Sequence, residues 1–173
     1  MTAKLNMMLS KHRLLAAFTL AASIAAGPVL AQSAIEHHVW QDKRKFEAYS
    51  RTSESITGPI KLSGNPEFAT PGSKMTITFG NGQKAELTSV GASWSQWDDV
   101  DDDKVTAEVF KVTKDPGKLL NGNTLCGKAA RYIVFHESMS FGTSLLGLAV
   151  FEGKEPKDIN SPGLCGTFNY SVD

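Results

Sequence analysis

The sequence predicts an all-β protein, a single-domain antiparallel sandwich or barrel of about seven or eight strands closed by one disulfide. Three observations lead there. Short runs of alternating apolar and polar residues recur from residue 53 to residue 172. Clusters of Gly, Pro, Asn and Asp separate them, and two cysteines, Cys126 and Cys165, stand in the same half of the chain.

The N-terminal segment reads as an export signal. Lys4, Lys11 and Arg13 precede an uncharged apolar run over residues 14–26, and Gly27 and Pro28 then break it before the small-residue pattern Val29-Leu30-Ala31. The run falls short of the roughly 20 apolar residues that span a bilayer. Cleavage after Ala31 is expected, with no membrane span in the mature form and a place in the periplasm or outside the cell. Removing 31 of the 173 residues leaves 142, enough for one domain with a real core. The mature chain then carries 15 Lys and Arg against 18 Asp and Glu, a net charge of −3. With Lys43-Arg44-Lys45 as its basic cluster, flanked by Asp42 and Glu47, it lacks the positive stripe that a nucleic-acid partner requires.

Residues 32–52 form an arm or short helix in which Ile35, Val39, Phe46 and Tyr49 follow a loose 3.6 period; the stretch around Phe46 also fits a first strand. The β-rich domain is expected over residues 53–173. Residues 55–62 alternate Ile56, Ile60 and Leu62, and the internal Gly58-Pro59 marks an edge strand or a bulge. A hairpin follows. Met75, Ile77 and Phe79 share a face, residues 80–83 (GNGQ) turn the chain, and Ala85 and Leu87 return it.

Val105, Ala107 and Val109 alternate next, before the turns Asp115-Pro116-Gly117 and Asn121-Gly122-Asn123. Three last strands are expected over residues 130–136, 144–151 and 166–172. Two cysteines in an exported chain predict one intramolecular bridge, for which the chain-entropy model gives about 4 kcal/mol. A C-x-x-C redox pair is absent.

The most unusual stretch puts Trp94 and Trp97 beside Asp98, Asp99, Asp101, Asp102 and Asp103. Asp99, Asp101 and Asp103 match the opening of a calcium loop, but its sixth position is Lys104 rather than Gly and its twelfth is Phe110 rather than Glu. A solvated loop with exposed tryptophans suits recognition of a sugar, a peptide or a cationic partner. His136 and Glu137 form a titratable pair at the end of a predicted strand. His37 and His38 are adjacent in sequence and therefore do not point at one metal. Nucleophile-elbow, phosphate-loop and zinc-protease motifs are missing, so no catalytic set or cofactor is assigned.

The segments SITG (55–58), FGNG (79–82), LLNGNTLCG (119–127) and LCGTFNY (164–170) resemble an uncharacterised family of small exported proteins of Gram-negative bacteria. The resemblance covers most of residues 53–172; it implies the periplasm and the Cys126–Cys165 bridge, and it carries no catalytic residue. The leading expectation is a non-enzymatic binding or interaction module, cell-envelope associated, whose partner is an envelope or periplasmic protein or a small ligand. Its candidate surface comprises Trp94, Trp97, Asp99, Asp101, Asp103, His136 and Glu137. Two alternatives remain. One is a small hydrolase or lyase using His136 with Glu137, Glu152 or Asp158; the other is an inhibitor of a secreted hydrolase, marked by a protruding rigid loop.

Overall fold

The structure, a computed structural model, describes residues 37–98 and 103–172. The export signal, Asp99 and Asp101 lie outside the described residues. Eight strands run β1 (Lys45–Ala48), β2 (Ile60–Gly64), β3 (Lys74–Thr78), β4 (Lys84–Gln96), β5 (Lys104–Lys114), β6 (Tyr132–Ser140), β7 (Thr143–Phe151) and β8 (Leu164–Ser171). Each pairs antiparallel with the next, and β8 pairs with β1 through Glu47↔Ser171 and Ala48↔Tyr170, closing the barrel. Sandwich or barrel is thus settled as barrel.

Residues directly opposite across a ladder share a face, which traces the interior round the ring. Phe46 faces Ile60, Leu62 faces Ile77, Ile77 faces Ala85, and Leu87 faces Val112. The trace continues through Phe110↔Ile133, Phe135↔Leu148 and Leu148↔Phe168. All of these are buried in one cluster, so the lumen is packed with side chains. Burying each large aliphatic or aromatic side chain contributes about 1.5–3 kcal/mol.

A second, smaller cluster lies on the outer face. Residues 152–163 cross β5, β6 and β7 there, and Ile159 packs with Trp97, Ala107, Val109, Val134, Ala149 and Phe151. Strands β5 and β7 are therefore buried on both faces, which is why residues 144–151 (SLLGLAVF) read as a nearly continuous apolar run.

The N-terminal arm holds a 3₁₀ turn at Val39–Gln41, and Phe46 lies in a strand. Gly58, with φ of 61°, ends a π-helical turn at Ser53–Thr57, and β2 begins only after Pro59. The residues flanking Gly58-Pro59 thus divide between a turn and a strand, and closure of the barrel leaves β2 with a neighbour on each side. Its interior is not an edge.

The strands set two ends. At the first, here called the stapled end, the β5–β6 connection turns Leu119, Leu125, Cys126 and Ala130 into the inner cluster. The Cys126–Cys165 disulfide, with Cα atoms 5.1 Å apart, ties that connection to the start of β8. Asn121 and Asn123 side chains donate to the Ser55 carbonyl, and the Thr57 and Tyr170 hydroxyls meet at 2.8 Å. At the other, the arm end, the chain before β1 folds into the mouth. No described helix is long and apolar enough to cross a membrane.

Candidate functional site

At the arm end the closing element is not a strand. The turn at Val39–Gln41 drops Trp40 into the lumen, fully buried, where its ring packs at 6.5 Å from Phe135. His38 stacks on Trp40 at 4.3 Å with the planes 4° apart, and Phe68 from the β2–β3 connection tilts against His38. The arm is bound by its polar atoms too. Gln41 accepts from the His38 backbone N–H at 2.8 Å and donates to the Pro66 carbonyl at 3.2 Å.

Beneath Trp40 lies Glu108, a fully buried acid on the inner face of β5, between positions filled by apolar residues. Its carboxylate accepts from the Trp40 indole N–H at 2.9 Å, from the Ser89 hydroxyl and from the Ala69 backbone N–H. Burial pushes its carboxyl above the ordinary value, and these bonds and the nearby His38 pull it back. Removing a charge from water is costly unless donors surround it, so the three donors and the buried acid fix one another in place.

The mouth is notched on one side. β5 and β6 pair only as far as Ala107↔His136, whereas β4–β5 continues to Gln96↔Lys104 and β6–β7 to Ser140↔Thr143. Two hairpin ends therefore rise separately beyond the ring, and their inner-face positions, freed from the core, include Trp94, Glu137 and Met139. Glu137 holds the arm in this gap. It accepts from the Val39 N–H at 2.8 Å and lies 3.3 Å from His38 Nδ1. Trp94 and Met139 are left 66 % and 70 % exposed.

The β6–β7 hairpin carries the most unusual residue. Ser140 pairs with Thr143, so the turn is the two residues Phe141 and Gly142, with φ of 48° and 81°. Two positive φ values match the right-handed twist of the flanking strands, and that is why such turns favour Asn-Gly. Phe141 takes the first of these positions with its ring fully exposed. A non-glycine residue there costs about 1–2 kcal/mol, and the ring gains no burial in return. No charged residue occurs between Glu137 and Glu152, so the hairpin is uncharged from Ser138 through its turn to the end of β7.

The structure separates the other expected site residues. Trp97 is not exposed but fully buried. Three residues beyond Trp94, it falls on the opposite face; its indole donates to Ser93 Oγ at 3.2 Å and its ring meets Phe151 edge-on. His136 and Glu137, adjacent in a strand, face opposite ways. His136 is buried on the outer face over Gly147, where a Cβ would lie 2.3 Å from the imidazole, so residue 147 has to be glycine. Glu152 follows the far end of β7, five residues from Gly147, or about 16 Å along the strand. The pair His136 and Glu137 is thus not joined in one cleft. Asp103 is exposed at the foot of β5, and the described residues contain no cluster of side chains fit to hold a metal ion.

Sequence reading missed Trp40, Glu108, Met139 and Phe141. A signal existed for Glu108: it sits in the inner-face register of Phe110 and Val112, but the Val105, Ala107, Val109 alternation on the outer face drew the strand's apparent core to the other side. Phe141 carried only a following glycine as its mark. Compared with known protein families, with characterised proteins and with solved structures, the chain matches none.

Proposed function

We propose that this protein is an exported, non-enzymatic binding module of the periplasm that engages a protein partner through the arm end of its barrel, with the β6–β7 hairpin as the inserting element. The observation that carries this reading is Phe141, held fully exposed at a positive-φ turn position. Strain of this kind persists where surrounding structure enforces it and clusters at sites that bind. Exposed Phe, Met and Trp form anchors of protein interfaces, and the hairpin tip beyond Glu137, which carries no charge, can be buried without the cost of stripping water from ions.

A protein is favoured over an anionic lipid surface because Asp98 and Asp103 lie on the neighbouring hairpin end and would repel one. The export signal and the bridge support the periplasmic placement, since disulfides persist in oxidising compartments. A catalytic role for His136 draws less support, because the imidazole is buried beside Gly147 on the outer face.

A photo-cross-linking aromatic residue at Met139, in cells making the protein, tests this reading. One discrete protein adduct is expected from position 139 and none from the same probe at Lys118, at the stapled end. Equal labelling from both positions, or none from position 139, contradicts it. The protrusion of the hairpin beyond the ring also favours a narrower form, inhibition of a secreted hydrolase by insertion into its cleft; the identity of the adduct decides that.

A further inference from the structure

The geometry points to a second binding site at the stapled end, for a phosphate-bearing small molecule. A cleft of about 740 Å³ opens there between the β5–β6 and β7–β8 connections, within the size range of small-ligand sites. Its charged lining is Lys128 and Arg131 on one wall, and Lys154, Lys157, Glu152 and Glu155 on the other, a net charge of +2. The whole chain has formal net charge +0, so the excess is local. Lys128 and Glu152 face each other loosely at 4.0 Å, while Arg131, Lys154 and Lys157 enter no ion pair among the described residues.

The wall that carries the two lysines is irregular but fixed. Connections of this length without strand or helix are uncommon in compact domains and are usually functional when ordered. Here Pro156 and Ile159 are buried, and the Ile159 N–H donates to the Gln96 carbonyl at 2.8 Å. Ser161 Oγ accepts from the backbone N–H groups of Lys157 and Asp158, at 2.9 and 3.2 Å. The Glu152 N–H donates to the Gly163 carbonyl at 2.8 Å, closing the loop at its base. Gly163, with φ of 95°, allows that closure, since a Cβ there would fall 2.2 Å from the Glu152 carbonyl oxygen. The disulfide then joins Cys165 to Cys126, two residues before Lys128, and so couples the walls. A cleft ordered in advance does not lose that entropy when a ligand enters.

Phosphate fits this lining better than carboxylate does. A phosphate monoester carries about −1.5 to −2 charges at pH 7, matching the local excess, where a carboxylate matches half of it. The Arg131 guanidinium offers two parallel N–H donors to two phosphate oxygens, and the lysines add point charges that adjust to the third.

Titration of the purified protein with inorganic phosphate, read by amide chemical shifts, tests the site. Saturable shifts confined to residues 127–131 and 152–165 are expected, with acetate at least about tenfold weaker. Arg131→Ala, at an exposed side chain that the fold does not use, should weaken phosphate about tenfold and leave the remaining amide pattern in place. Phosphatidylglycerol vesicles form a second arm: saturation by vesicles and not by inorganic phosphate supports the site with a lipid headgroup as the source of the phosphate, and saturation by inorganic phosphate supports it with a free ligand. The inference is overturned if neither probe saturates these amides, if acetate matches phosphate, or if shifts spread equally to Lys43, Lys61 and Lys74.

Discussion

The two ends of this barrel are closed by different physical means. At the stapled end a covalent bridge, asparagine side chains bonded to backbone carbonyls and four buried apolar residues of the β5–β6 connection seal the lumen. At the arm end the seal is one tryptophan on a three-residue turn, hydrogen-bonded to a buried acid, with two hairpin ends left standing apart above it. The first arrangement holds its connections rigid. The second concentrates a buried charge, a strained turn and the exposed Trp94, Met139 and Phe141 in one region, the combination expected where structure serves binding rather than stability.

Removing the bridge should have the largest effect. The paired substitution Cys126→Ala and Cys165→Ala is expected to cost about 4 kcal/mol by loop entropy, read as a lower urea midpoint, with labelling at position 139 unchanged under conditions where the protein stays folded. A comparable loss of labelling would mean that the two ends are not independent.

A smaller effect should come from Trp40→Phe, which keeps an aromatic ring in the lumen but removes the N–H from Glu108. Leaving a buried carboxylate oxygen without its donor costs roughly 1–3 kcal/mol. Amide hydrogen exchange should localise the loss to residues 37–42 and spare the β5–β6 connection. Uniform loss of protection across all strands would show that the arm is part of the global core.

The smallest effect concerns pH. Burial raises the Glu108 carboxyl above 4.5, so the folded state favours the protonated form more than the unfolded chain does. That contribution to stability is present below pH 4.5 and is lost as pH rises through the raised folded value. Melting temperatures of the protein and of Glu108→Gln, compared from about pH 4 to about pH 8, should show the difference moving against the wild type as pH rises. A constant difference would contradict the role of the buried charge.

Much of the scaffold was legible because its strands obey local rules. The β3–β4 hairpin shows period-two alternation around a turn with two glycines, and β6 and β7 carry apolar runs. Barrel closure was not legible. It depends on the pairing of Glu47 and Ala48 with Ser171 and Tyr170, between opposite ends of the domain, and no local pattern encodes that. At the arm end the two tryptophans part: Trp94 is exposed, whereas Trp97 falls on the outer face and is buried despite the aspartates beside it. Phe141 stayed hidden because Phe-Gly is not a turn signature; it occupies its position in spite of local preference.

That conflict gives the most direct test of the central claim. Phe141→Asn places at the turn a residue that tolerates positive φ, and the unfolding midpoint and the adduct yield from the probe at position 139 can be measured on the same variant. Stability is expected to rise by about 1 kcal/mol while the adduct is lost. Stability that rises with the adduct intact would contradict it, because Phe141 would then be a strained residue with no partner to explain it.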